Sequence, residues 1–374
     1  MRRYEMEKII CKRCVMDNVG DPYIIFDENR ICNYCKAAEE ANRQCYFPNN
    51  EGKKRLEEIV RKIKEERKKE RYDCMIGLSG GLDSSYLAYI GHQYGLRMLA
   101  VHIDDGFDTE ITQRNIKRIA ESFNIDLIIE KPNKPLFADV TKAFLRAGVP
   151  NIAIPQDNVL FATLYKYARQ NHISYFLSGS NFALESILQK GNSYDASDKV
   201  HIKDIHKKYG KLKLTKELPL ISIFDKRIKY QYFYRIKTLK LLNYVKYEAA
   251  DALSKLNAAC GFEYYGDKHC ESIFTKFMQR YYLPEKFHVD KRKSHYSSMI
   301  LSGQMTRDQA LKKLEEPLYN KDDLEKDISY ILNYLGLTRD EFNQIMEEKP
   351  RSHDEFKKSA FNQLVHFILK FRKY

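Results

Sequence analysis

The sequence predicts an α/β protein built on a parallel sheet, with a small cysteine-bearing module in front and a helical region behind. Three observations predict it. Short apolar runs alternate with helix-length amphipathic segments from Cys74 to Leu177, a Gly/Ser turn joins the first run directly to its helix, and two Cys-x-x-Cys pairs precede both. Strands alternating with helices of this length argue for a parallel sheet covered on both faces.

The front module is Cys11-Lys-Arg-Cys14 and Cys32-Asn-Tyr-Cys35, with seventeen residues between Cys14 and Cys32. Each pair can turn two thiolates to one side of a tight turn, and two pairs complete the tetrahedral S4 shell that Zn2+ prefers, so a structural zinc ribbon is expected. Redox chemistry at either pair and an iron-sulfur cluster use the same ligands and are the competing readings. The run Tyr23-Ile-Ile-Phe26 followed by Asp27-Glu-Asn29 suggests a hairpin between the pairs. Cys45, Cys74, Cys260 and Cys270 show no such spacing and are read as buried free thiols.

Next, Glu51 to Arg71 is densely charged, with Leu56, Ile59, Val60 and Ile63 at helical spacing, so it is read as a solvated connector helix. The α/β alternation then runs through strands at Cys74–Leu78, Met98–Ile103, Leu127–Ile129 and Tyr175–Leu177. Helices are expected at Ser84–Tyr94, around Ile111 to Phe123, and at Val159–Ala168. Beyond Lys226 the pattern is largely helical and rich in Tyr, Phe and Lys. The expected divisions are 1–50 (ribbon), 51–72 (connector), 73–225 (sheet domain) and 226–374 (helical substrate or partner region).

Composition narrows the class. The 374 residues carry 64 Lys+Arg against 51 Asp+Glu, a net charge of +13, and 43% are hydrophobic. The longest apolar runs are a few residues, far below the ~18 that a membrane span needs. The N-terminus begins basic, but Lys8 and Cys11 fall where a signal peptide would carry its apolar core, so a cytoplasmic location is expected. The positive charge calls for an anionic partner, and nucleic acid, a nucleotide or an acidic metabolite would each satisfy it.

The most informative segment is Ser79-Gly80-Gly81-Leu82-Asp83-Ser84-Ser85, between the first strand and its helix. Glycines let backbone amides turn inward, the helix N-terminus adds its positive end, and the serines add hydroxyls, which together make an anion cradle. No lysine closes the loop in the G-x-x-x-x-G-K-[ST] manner, and there is no G-x-G-x-x-G. The run resembles the PP-loop, S-G-G-x-D-S, of the ATP pyrophosphatase (adenine nucleotide alpha hydrolase-like) superfamily. That resemblance implies ATP bound with its pyrophosphate in the loop, with Mg2+, and transfer of AMP to a substrate oxygen. It also implies companion positions: His102 and Asp104 near the adenosine, and Gly179, Asn181 and Glu185 after the fourth strand. Asp83 would hold Mg2+ or cap its helix, and Asn181 could equally be a helix cap.

The C-terminal third contains Tyr264-Tyr-Gly-Asp-Lys268-His269, Glu271, Lys276, Asp290-Lys-Arg292 and His295, a basic, aromatic and hydroxyl-rich stretch. It suits an anionic ligand rich in hydrogen-bonding groups. From knuckles through PP-loop to this stretch, roughly Cys11 to Pro317, the chain resembles the N-acetyl sugar amidotransferase family; the tail after Asn320 falls outside that resemblance. It implies adenylation of the acetamido oxygen of an N-acetyl sugar and its replacement by ammonia, giving an acetamidino sugar for O-antigen, pseudaminic acid or legionaminic acid type glycans. Asp83, Lys268, His269, Lys276 and Arg292 are the expected catalytic and substrate-side residues. Cys260 lacks a nucleophile elbow, so ammonia is expected from a separate glutaminase, with a cyclase-like subunit, similar to those of imidazole glycerol phosphate synthase. A tRNA thiolase is the alternative, since it also joins zinc knuckles to a PP-loop, and a non-catalytic nucleic-acid module is a third reading that leaves the loop unexplained. Because the charge is spread over the mixed-charge connector and residues 268–307, it suits ATP and an acidic or nucleotide-linked sugar at least as well as RNA.

Overall fold

The structure is a computed structural model that describes residues 7–361. The front module carries Cys11 and Cys14 in a loop, Cys32 at the N-cap and Cys35 in the first turn of helix α1 (Asn33–Cys45), and α2 (Asn50–Arg67) leads to the sheet. Asn49 starts α2 by accepting the Gly52 amide at 3.1 Å, and Leu56, Val60 and Ile63 form its buried stripe. The hairpin expected at Tyr23–Phe26 is reduced to one antiparallel bridge, Phe26 with Cys32. Asp27 Oδ1 accepts the amides of Asn29 and Ile31 at 3.0 and 2.8 Å, so a carboxylate closes the turn where a strand ladder would have.

The central layer then runs β1 (Cys74–Gly77), α3 (Leu82–Gln93), β2 (Met98–Ile103), α4 (Glu110–Ser122), β3 (Asp126–Glu130), α5 (Lys134–Ala147), α6 (Ile154–Gln170), β4 (Tyr175–Leu177), α7 (Phe182–Glu185), α8 (Lys199–Tyr209) and β5 (Lys237–Leu239). The five strands pair in parallel in the order β3-β2-β1-β4-β5. The chain first winds outward from β1 and then crosses to its other side, so the C-terminal ends of β1 and β4 diverge at a switch point, where open α/β sheets bind ligands.

Side chains alternate across the sheet as the pleat requires. Cys74, Ile76 and Leu78 enter a core with Leu56, Leu87 and Ile119, whereas Met75 faces the opposite core with Leu164 and Ala168. A third core joins α5 to the C-terminal helices α10 (Ile273–Phe277), α11 (Leu283–Phe287), α14 (Lys321–Leu335) and α15 (Arg339–Glu347), with Phe107, Phe144, Phe274, Tyr282 and Phe342 inside it. Helices α9 (Ala249–Cys260), α12 (Lys291–Leu301) and α13 (Arg307–Leu314) complete the C-terminal region. None of the described helices is long and apolar enough to cross a membrane.

Two expectations need correction. The division at 225/226 cuts off β5, which is the outer strand of the same sheet. It also separates α5 from the C-terminal helices that share its core. Nine residues of α5 are buried, including Asp139 and Thr141, and Cys45, expected as a buried thiol, is instead exposed at the end of α1.

Because Phe144 is 0% exposed in this shared core, Phe144→Ala should lower the stability of the whole chain by about 3–5 kcal/mol in urea titration. Val200→Ala, at a site 43% exposed, should change it by less than about 0.5 kcal/mol.

Candidate active site

The Ser79–Ser85 loop takes its shape from its glycines. Gly80 has φ +72°, and a Cβ there would lie 2.9 Å from the Thr112 carbonyl oxygen. A Cβ on Gly81 would lie 2.9 Å from Glu271 Oε1, a side-chain end that would have to shift to admit it. Ser84 Oγ ties the turn, contacting Ser79 Oγ at 3.0 Å and accepting the Ser79 amide at 3.2 Å. Gly81, at the N-cap of α3, offers no side-chain cap, so the first amides of the helix remain for an anion, except that of Leu82, which donates to the Tyr265 hydroxyl at 2.8 Å.

This loop opens on a cavity of about 1280 Å3. That is above the roughly 300–1,000 Å3 of a single small-molecule site, so the space accommodates two substrates. Its floor is an ion cluster assembled from three distant segments. Lys268 Nζ lies 3.1 Å from Glu185 Oε1 and 3.4 Å from Asp83 Oδ2. Asp83 also accepts a hydrogen bond from the Tyr247 hydroxyl, and Glu185 accepts one from Ser180 at 2.7 Å. Burial works against the Lys268 charge, yet Asp83 and Glu185 together hold its ammonium above the ordinary lysine value. Burial likewise opposes the Glu185 charge, and Lys268 outweighs it and holds that carboxyl low.

The expected site residues divide. Ser79, Gly81, Asp83, Ser84, His102, Gly179, Glu185, Lys268 and His269 line the cavity. Gly80 shapes the loop from behind. The Ser85 hydroxyl is fully buried without a hydrogen-bond partner among the described residues, so it faces the core and not the phosphate side. Asn181 is spent as the cap of α7, accepting the Leu184 amide at 3.0 Å. Asp104 turns away to pair with Lys131 at 2.9 Å, and its neighbour Asp105 faces the cavity instead. Lys276 bridges α10 to α14 through Asp327 at 2.9 Å and lies outside the cavity. Arg292 is consumed by Asp290 at 2.9 Å and by the Lys313, Leu314 and Glu316 carbonyls, which ties α12 to α13.

His102 has both ring nitrogens engaged, Nδ1 with Leu78 O at 2.9 Å and Nε2 with Asp108 Oδ2 at 2.8 Å. The Leu78 carbonyl can only accept, so Nδ1 carries a proton, and the Asp108 carboxylate beside Nε2 favours a second. Burial opposes that charge, but Asp108 raises the pKa above the ordinary value. Its place is to lock the β2 loop to the end of β1. Several cavity residues gave no separate signal in the sequence. Asp105 is pushed up to about 7 by burial and by Asp108, and Asp157 up to about 6 by burial. Tyr247, Tyr265 and Glu271 meet the loop from segments far away in the chain; only their membership of an aromatic and acidic stretch could have flagged the last two.

The four cysteines converge as their spacing predicts. Their sulfurs all lie within 4.8 Å of one another and are buried. The Cys11–Cys35 and Cys14–Cys32 separations of 4.0 and 3.8 Å approach the edge of about 3.8 Å that a tetrahedron with ~2.3 Å metal–sulfur arms requires. The module is clamped to the cavity wall: Arg307 donates to the carbonyls of Cys11 and Cys14 at 3.1 Å, and Lys293 pairs with Asp17 at 2.7 Å.

A histidine whose folded pKa is raised contributes stability fully below its unfolded value, ~6.5, and loses it as pH climbs through the folded value. Asp108→Asn should therefore destabilise the fold near pH 6, and the gap to wild type should narrow toward pH 9 in urea titrations.

Residues 271–371 match a family model described as the C-terminal domain of LPS biosynthesis protein WbpG-like. The match includes the tail beyond Asn320 that the sequence resemblance left out. Among solved structures, the chain aligns with NMN synthetase from Francisella tularensis at 17% identity and TM-score 0.30, covering 56% of this chain and 93% of that one. It aligns with NH3-dependent NAD synthetase from Campylobacter jejuni subsp. jejuni NCTC 11168, in complex with the nitrate ion, at 17% identity and TM-score 0.30, covering 58% and 99%. No curated protein matches. Over this C-terminal segment the chain is similar to the WbpG-like LPS biosynthesis proteins, in agreement with the resemblance to the sugar amidotransferase family read from the sequence.

Proposed function

We propose that the protein is an ATP-dependent, AMP-forming amidotransferase that converts the acetamido group of an N-acetyl sugar to an acetamidino group during bacterial surface glycan biosynthesis. One observation carries the reading. The Lys268–Asp83–Glu185 cluster places a residue next to the WbpG-like segment against the phosphate loop, in a cavity with room for a second substrate.

An amide carbonyl is a poor electrophile, and ammonia does not displace its oxygen unaided. Attack of the amide oxygen on the α-phosphorus of ATP forms an O–P bond and releases pyrophosphate. Ammonia then adds to the imidate carbon, and AMP departs with the C–O electron pair, leaving the amidine. The loop amides and Ser79 and Ser84 would receive the pyrophosphate, and Lys268 would offset charge developing on the phosphates. Asp83 and Glu185 would hold Mg2+, which takes oxygen ligands and supplies further neutralisation of the phosphates. Asp105 and Asp157, with raised pKa values of about 7 and 6, are suited to accept protons in the cavity.

Ammonia would come from a separate glutaminase, with a cyclase-like companion subunit. Among the described residues no cysteine pairs with a histidine, and Cys260 Sγ donates to the Leu256 carbonyl at 3.1 Å. The cavity lining contains no cysteine, which favours this reading over the thiolase. We further propose that the four-cysteine cluster holds a structural Zn2+.

Purified protein given ATP, ammonium and N-acetyl sugars, free and nucleotide-linked, should release AMP, and Lys268→Ala should slow that release by about 10²–10³-fold; no AMP from any of these acceptors would sink the reading. Metal analysis should find one zinc per chain. Cys32→Ser should lose it and make residues 302–306 more sensitive to limited proteolysis, because the α12–α13 corner is held by carbonyls of the cysteine loop.

A further inference from the structure

Beside the main cavity lies a chamber of about 240 Å3 that shares Glu185, Lys268 and Lys291 with it. No phosphate-loop residue lines this chamber. Its walls carry four cationic side chains, Lys268, Arg280, Lys291 and Arg292, against two carboxylates, Glu185 and Asp267. Three of the four cations are already satisfied: Lys268 by Asp83 and Glu185, Arg280 by Asp267, and Arg292 by Asp290. Lys291 is different. Among the described residues its ammonium has no carboxylate within 4.0 Å and no hydrogen-bond acceptor, and it stands at the first position of α12, where the helix dipole adds positive potential.

An ammonium withdrawn from water without a counter-ion is costly, and burial indeed holds the Lys291 pKa below the ordinary value; Asp21 and Glu185 oppose that shift without reaching ion-pair distance. Its neighbour His295 lines the same chamber. Burial holds His295 neutral, down to about 3, and its Nδ1 faces the Leu184 carbonyl at 3.3 Å, so Nε2 is left as an acceptor. A group that carries an anion next to hydroxyls would satisfy both residues. ATP does not meet this description, because its phosphates belong at the loop, outside this chamber.

We infer that Lys291 anchors a carboxylate or phosphate carried by the acetamido substrate itself, with His295 accepting from one of that sugar's hydroxyls. The inference rests on the proposed function for the identity of the sugar, but its test is a binding measurement that needs no turnover. Calorimetric titrations of the full chain would compare N-acetylglucosamine with two probes on the same ring, N-acetylglucosamine 1-phosphate and N-acetylmuramic acid. Wild type should bind at least one of the charged probes about tenfold more tightly than the neutral sugar, as expected of one charge-assisted contact. Lys291→Gln and Lys291→Met should each abolish that preference, Lys291→Arg should keep it, and ATP affinity, which reports an intact cavity, should be the same in all four proteins. Which probe is preferred separates a phosphate from a carboxylate as the recognised group. A wild type without the preference, or a Lys291→Met protein that retains it with normal ATP binding, would overturn the inference. Failure of AMP release while the charge preference holds would count against amide adenylation alone.

Discussion

The ammonium of Lys268 is the point on which the site depends. It is held between a carboxylate from the helix after β1 and one from the helix after β4, while Lys268 itself comes from the segment entering the C-terminal helices. These side chains are partly buried, so removing one member of the cluster leaves the others undercompensated, which is more damaging than losing an exposed pair. The cluster therefore fixes the relative positions of the two sides of the switch point and the helical region at once. Tyr247 and Tyr265 reinforce it by bonding Asp83 and the Leu82 amide.

Around that point the architecture is less modular than a chain of domains. Helix α5 follows β3 in sequence yet packs with α10, α11, α14 and α15, so the sheet and the C-terminal helices share a core. The cysteine module is tied in as well, through Arg307 and Lys293 to the helices that wall the cavity. Assembly of the four-cysteine shell and of the cavity wall are coupled for that reason: the carbonyls that orient the first cysteine pair are the acceptors that hold α13.

What was legible follows from how local each signal is. The cysteine knuckles and the Ser79–Ser85 loop are short segments whose chemistry is set by spacing along the backbone, and both stand as their spacing indicates. Strands β1 to β4 were visible because they read as apolar runs. The three-residue β5, Lys-Thr-Leu at the edge of the sheet and largely exposed, carries no such run. At Asp104 and Asp105 the sequence offers two adjacent carboxylates, and which of them faces the ligand depends on how the backbone turns after β2. Lys276 and Arg292 looked like substrate ligands because cations in a basic stretch are chemically alike on paper; the structure spends them on Asp327 and Asp290.

The sequence by itself determined the local chemistry: two cysteine pairs, a Gly/Ser loop at the end of a strand, and a helical region rich in cations and tyrosines. Only the tertiary structure decided which charges are used up and which remain. That choice is a matter of distance between residues far apart in the chain, Asp83 and Lys268 being a pair 185 positions apart, and of how deeply each is withdrawn from water. Coulomb energy and desolvation both depend on that geometry, and neither is written in the order of the residues.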